Sequence, residues 1–115
     1  MTNPKRGEMQ ITLGSQSWDA RITMDVLAKI EQACGCGVLK VLQKLTEAEV
    51  TSTEICHILL PAIRAGGNDV TLKDIQDAVW TAGLTVGMKE VGAVLTKALM
   101  PEEESAGNVQ KAVLA

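Results

Sequence analysis

Residues 8–30, "EMQITLGSQSWDARITMDVLAKI", change their hydrophobic period midway, and that change decides the fold. Met9, Ile11 and Leu13 alternate with polar residues, as do Trp18, Ala20 and Ile22, and the turn-prone "GSQS" at 14–17 lies between the two runs. Side chains alternate across a strand, so all six apolar residues share one face of a β-hairpin, which is marginal unless that face is covered. From Thr23 onward the period becomes about 3.6, with Val26, Leu27, Ile30 and Ala33 on one stripe and Thr23 placed to cap the first turn. The cover is therefore helical. The predicted class is α+β, mainly α: an N-terminal β-hairpin followed by four to five short helices.

The helices can be followed to the end of the chain. Gly35 and Gly37 suit the left-handed conformation that closes a helix, and Val38, Val41, Leu42 and Leu45 open a second, shorter one. The third carries the sharpest stripe, Ile55, Ile58, Leu59, Ala62 and Ile63, with Pro61 inside it. That proline removes one backbone hydrogen bond and crowds the carbonyl of residue 57, so a kink is expected over 57–61. "RAGGNDV" reads as a loop, and "TLKD" as a capping box for a fourth helix with Leu72, Ile75, Val79 and Ala82 inward. A fifth carries Leu84, Met88, Val91, Leu95 and Leu99 and stops before Pro101. We read a single domain over 1–100 and a flexible acidic tail over 101–115, "PEEESAGNVQKAVLA".

Composition narrows the function classes. Hydrophobic residues make up 46% of 115 residues, enough for a packed interior without metal or disulfide staples. Lys and Arg number 11 against 14 acidic residues, no basic block exceeds Lys5-Arg6, and Trp18 and Trp80 are the only aromatic rings. Phosphate contacts and base stacking both lack their usual residues, so no nucleic-acid partner is expected. The start, "MTNPKRGEM", runs into a polar alternating segment and not an apolar core, which argues against a secretory signal. "LTVGMKEVGAVLTKALM" is interrupted by Lys89, Glu90 and Lys97 and falls short of a bilayer crossing, so no membrane partner is expected and the location read is the cytoplasm.

Cys34, Cys36, Cys56 and His57 raise the question of a metal or redox centre. The spacing answers against it. Cys34 and Cys36 form C-x-C where zinc sites use C-x2-4-C, and Cys56 and His57 are consecutive on a helix, diverging by about 100°. The C-x-x-C spacing of a thiol oxidoreductase is also missing. The expectation is no metal and no cofactor, with Cys34 and Cys56 as small core residues and Cys36 in a partly exposed turn. No base other than His57 serves a nucleophile, and no G-x-S-x-G or phosphate-cradling loop occurs, so no catalytic residues and no enzyme activity are expected. A helix-turn-helix over 72–95 fails its own count. The second helix should bury an apolar residue about six positions past the turn glycine, and six past Gly83 is Lys89.

What remains is a binding or assembly role. The succession "NPKRGEMQITL", hairpin, "DVLAKIEQACGCGVLKVLQKL", "TEICHILLPAIRAGG" and "VTLKDIQDAVWTAGL" resembles the gene-transfer-agent and phage tail protein family of about this length. That family pairs an N-terminal N-P-x-R-G-E with a short hairpin and a helix closing on AAG or AGG. The resemblance covers roughly residues 3–99, and Pro61 and the C-G-C turn depart from the pattern. It implies a tail assembly chaperone that binds the tape measure protein and in turn meets tail tube subunits, with a tube component of the virion as the structural alternative. Tube proteins resemble β-sandwiches, whereas only one hairpin here reads as strand. A homo-oligomer is compatible with either.

The resemblance supplies no binding motif, so docking residues are sought among apolar side chains the fold does not obviously use. Trp80 lies about 100° around its helix from the inward Val79. Met88 suits adaptable contacts, and Val109, Val113 and Leu114 are the apolar residues of the tail. The competing reading places Trp80 and Met88 in the core.

Overall fold

A computed structural model describes residues 7–100; the tail expected to be flexible, with Val109, Val113 and Leu114, lies outside the described residues. The element order is β1 (Glu8–Leu13), β2 (Gln16–Arg21), α1 (Met24–Cys34), α2 (Val38–Thr46), α3 (Ser52–Ala65), α4 (Leu72–Ala82) and α5 (Leu84–Leu99). The expected α+β architecture, one hairpin followed by five helices, is what the chain adopts.

Strands β1 and β2 pair antiparallel from Glu8↔Arg21 to Leu13↔Gln16, which leaves Gly14 and Ser15 as the whole loop. Gly14 takes φ 65°, the positive value that the first loop position of a type II′ turn demands. The inward face carries Ile11, Leu13 and Ala20, all buried, with Trp18 and Met9 half-buried against the same core. The outward face is a ladder of polar pairs: the Thr12 and Ser17 hydroxyls lie 2.8 Å apart, and Gln10 Nε2 donates to Asp19 Oδ1 at 3.4 Å.

The helices close over the inward face around α3, which contacts α1, α4, α5 and β2. Ile58, Leu59, Ala62 and Ile63 are fully buried there, as the stripe predicts. Its start is fixed by a capping box absent from the sequence reading: Thr51 Oγ1 accepts from the Glu54 N–H at 3.0 Å, and Glu54 Oε1 accepts from the Thr51 N–H at 2.9 Å. The caps expected at Thr23 and Thr71 are present, accepting from the Val26 and Asp74 N–H groups. α3 continues through Pro61 to Ala65 as one element.

Two inward stripes and one helix junction differ in detail from expectation. In α1 Ala33 is exposed and Cys34, four residues after the buried Ile30, turns to the core. In α5 the terminal Leu84 and Leu99 are 46% and 49% exposed, and Val94 joins Val91 and Leu95 in the interior. Only Gly35, at φ 73°, is left-handed at the end of α1; Gly37 is extended at φ −71° and starts α2.

Two glycines of the quoted motifs have steric reasons. Gly7, from N-P-K-R-G-E, sits at φ 88° with an imagined Cβ 2.1 Å from the Ile22 carbonyl oxygen. Gly66, from the A-G-G that follows α3, would place a Cβ 2.0 Å from the Asp19 carbonyl oxygen. Both let a neighbouring segment lie directly on β2 or its end, which no side chain would permit.

Candidate docking surface

The cysteines are placed first, because they posed the chemical question. All three are free thiols: Cys34 at the end of α1, Cys36 in the following turn and Cys56 buried in α3. Burial is the main force raising the Cys34 thiol from 9.0 to about 11, and the nearby Glu54 carboxylate adds to it. Burial likewise raises Cys56. Both therefore stay protonated near neutrality, which makes them poor nucleophiles. Beside Cys34, Lys44 and Glu54 form an ion pair between α2 and α3, their side chains 22% and 16% exposed. The Lys44 bond and the Thr51 N–H both hold the Glu54 carboxyl below its usual range, and the Glu54 bond raises Lys44. Among the described residues, no three His, Cys, Asp or Glu side chains come together to hold a metal ion.

The apolar surface is more distinctive. Trp80 is 82% exposed on α4, about 100° from Val79, which is buried. It lines a shallow groove of about 210 Å³ with Val79, Leu84, Cys56 and the polar Ser52, Thr53 and Gln76. Among the described residues, no charged side chain lines this groove. Its floor is set by the α4–α5 joint. Gly83, at φ 103°, ends one helix and begins the next without an intervening residue, so Leu84 follows Trp80 closely in space as well as in sequence. Gly87 then lets α5 close down: a Cβ there would be 3.0 Å from Ile55 Cγ2 and 3.3 Å from Val79 Cγ1. The Gly83/Gly87 pair, which as a membrane signal means little, serves helix packing in this fold.

Of the residues singled out in the sequence, Trp80 is thus at the surface and Met88 is half-buried against the core, outside the Trp80 groove. Val109, Val113 and Leu114 lie outside the described residues. Sequence reasoning missed Leu84, counted as an inward residue, and a second apolar region at the other end of α5. There Met24 is 80% exposed, Leu99 and Met100 are 49% and 39% exposed at the end of α5, and a groove of about 300 Å³ runs between Ile22, Met24, Leu27 and Ala98. The signal was available in the Thr23 cap, which makes Met24 the first helical residue, ahead of the inward Val26. Leu39 on α2 is a separate exposed residue, at 66%. Lys89, which a helix-turn-helix would bury, is exposed.

The class these features define is a small hairpin-and-helix protein with exposed apolar side chains at both ends of α5. The family model described as "phage tail tube protein, GTA-gp10" matches residues 6–101. The chain belongs to that family, and its function lies in phage or gene-transfer-agent tails. No curated protein and no solved structure matches it. Among the described residues, no helix is long and apolar enough to cross a membrane.

Proposed function

We propose that the chain is a tail assembly chaperone, a binding protein and not an enzyme, that holds the tape measure protein in the host cytoplasm during tail morphogenesis. The observation that carries this reading is Trp80, 82% exposed at the rim of an uncharged groove shared with Leu84. A tryptophan left in water on a stable helix contributes little to folding, and large aromatic side chains are the residues most often found at binding hot spots. The groove between α3, α4 and the start of α5 suits the apolar stripe of an amphipathic helix, the type of surface a long helical tape measure would expose before the tube forms around it. Tube subunits are further partners on this reading, since the tube must assemble on the chaperoned protein.

A second reading has its own support, because the family description names a tail tube protein. A tube subunit would remain in the particle. The mainly helical architecture favours the chaperone, since a β-sandwich is the expectation for a tube subunit.

Co-expression with the cognate tape measure protein separates the two. The chaperone reading expects the tape measure to become soluble and to co-purify with this chain, and expects mass spectrometry of finished tails to find the chain absent. Detection at the copy number of the tube would establish the structural reading in its place.

A further inference from the structure

Both edges of the hairpin end on groups from elsewhere in the fold, and the two edges are covered unequally. The register fixes which backbone groups face outward. Ile22 N–H donates to the Gly7 carbonyl at 2.9 Å, and paired positions alternate along an antiparallel ladder. Glu8, Gln10 and Thr12 on β1, and Ser17, Asp19 and Arg21 on β2, therefore turn their N–H and C=O away from the partner strand. On β2 the Asp19 carbonyl accepts from Asn68 Nδ2 at 2.6 Å, and Gly66 lies against it at backbone distance. A whole loop covers that edge. On β1, among the described residues, one side chain bonds the outward groups: the Thr12 N–H donates to Glu90 Oε1 of α5 at 3.3 Å.

We propose that Glu90 guards the β1 edge against antiparallel pairing with β1 of a second copy of this chain. An open edge strand is a template for another strand, and a carboxylate placed on its N–H both satisfies the donor and repels an incoming carbonyl oxygen. The second copy is the occupant because the edge is self-complementary. Pairing centred on Gln10 sets Glu8 of one copy opposite Thr12 of the other, so no like charges meet across the pair. It also keeps Ile11 and Leu13 of both copies on the covered face, since antiparallel pairing in this register preserves the alternation of faces.

The test compares Glu90→Ala with Glu90→Gln in the full chain, by sedimentation over a wide concentration range. Glutamine keeps an acceptor oxygen for the Thr12 N–H, so Glu90→Gln should associate no more than the wild type. Glu90→Ala should dimerise about tenfold more tightly, the scale of one backbone hydrogen bond regained at the new interface. Adding Gln10→Pro to Glu90→Ala removes an outward N–H at the centre of the pairing and should return the protein to wild-type association. Equal association of Glu90→Ala and wild type, or tightening that survives Gln10→Pro, overturns the proposal. Hydrogen exchange on the wild type needs no variant: the Thr12 amide should exchange more slowly than the outward Gln10 amide, and equal rates also overturn it.

Discussion

Ile58 on α3 is fully buried, whereas Trp80 on α4, a larger apolar side chain, is 82% exposed. Both helices open with a threonine capping box and both pack on the same core, with Ile58 at the middle of α3 and Trp80 in the last turn of α4. The difference is how much of each helix is surrounded. α3 is enclosed by α1, α4, α5 and β2, so most of residues 55–63 are interior, while α4 meets the core along the narrow line of Ile75, Ala78 and Val79. Among the described residues, Trp80, off that line, is left largely uncovered. The comparison teaches that apolar side chains on α3 account for folding, and that those at the α4–α5 joint are available for something else.

The largest effect should come from the enclosed region. Leu59→Ala removes a fully buried side chain at the centre of the core and should cost about 2–5 kcal/mol, a large part of a small protein's stability, in a denaturant titration. A loss below about 1 kcal/mol, the scale of a surface change, would mean α3 is not the centre of the fold. Gly66→Ala comes next. Its Cβ meets the Asp19 backbone, which cannot move aside as a side chain would, and overpacking of this kind should cost about 1–3 kcal/mol. Thr51→Ala deletes the capping box of α3 and should cost about 1 kcal/mol, read in the same titration.

A smaller effect concerns pH. The folded state raises the Cys34 thiol from 9.0 to about 11, so it holds a proton that the unfolded chain releases. The stability this contributes is fully present below pH 9.0 and is lost as pH rises toward about 11. Melting temperatures of wild type and Cys34→Ala, measured across that interval, should converge as pH rises. Parallel curves would show that Cys34 does not titrate differently in the two states.

The hairpin and the helix order were legible in the sequence because period two and period 3.6 are each imposed by backbone geometry. The caps at Thr23 and Thr71 were legible for the same local reason. The cap at Thr51 was not seen, although T-S-T-E carries its signature, because the stretch before α3 was read as a connector. Ala33 and Leu84 were placed inward because periodicity gives the direction of a stripe and not where its neighbours stop. At its two ends α5 runs past the core, and the helical phase of Leu84 and Leu99 cannot reveal that. Trp80 was the residue on which phase alone was undecided. Its exposure depends on what α4 packs against, a tertiary fact. Gly66 and Glu90 act on the hairpin across 47 and 78 positions of sequence, and nothing local marks such contacts.

The smallest effect on folding should be at Trp80, and the same substitution should have a large effect on binding. Trp80→Ala, followed by melting temperature and by affinity for the cognate tape measure protein, tests the central claim most directly. The stability change should stay within about 0.5 kcal/mol, as for a surface substitution, while binding weakens by about 2 kcal/mol, roughly thirtyfold. Undiminished binding, or a stability loss of the 3–5 kcal/mol scale of a core tryptophan, would contradict the division between an enclosed α3 and an available α4–α5 joint.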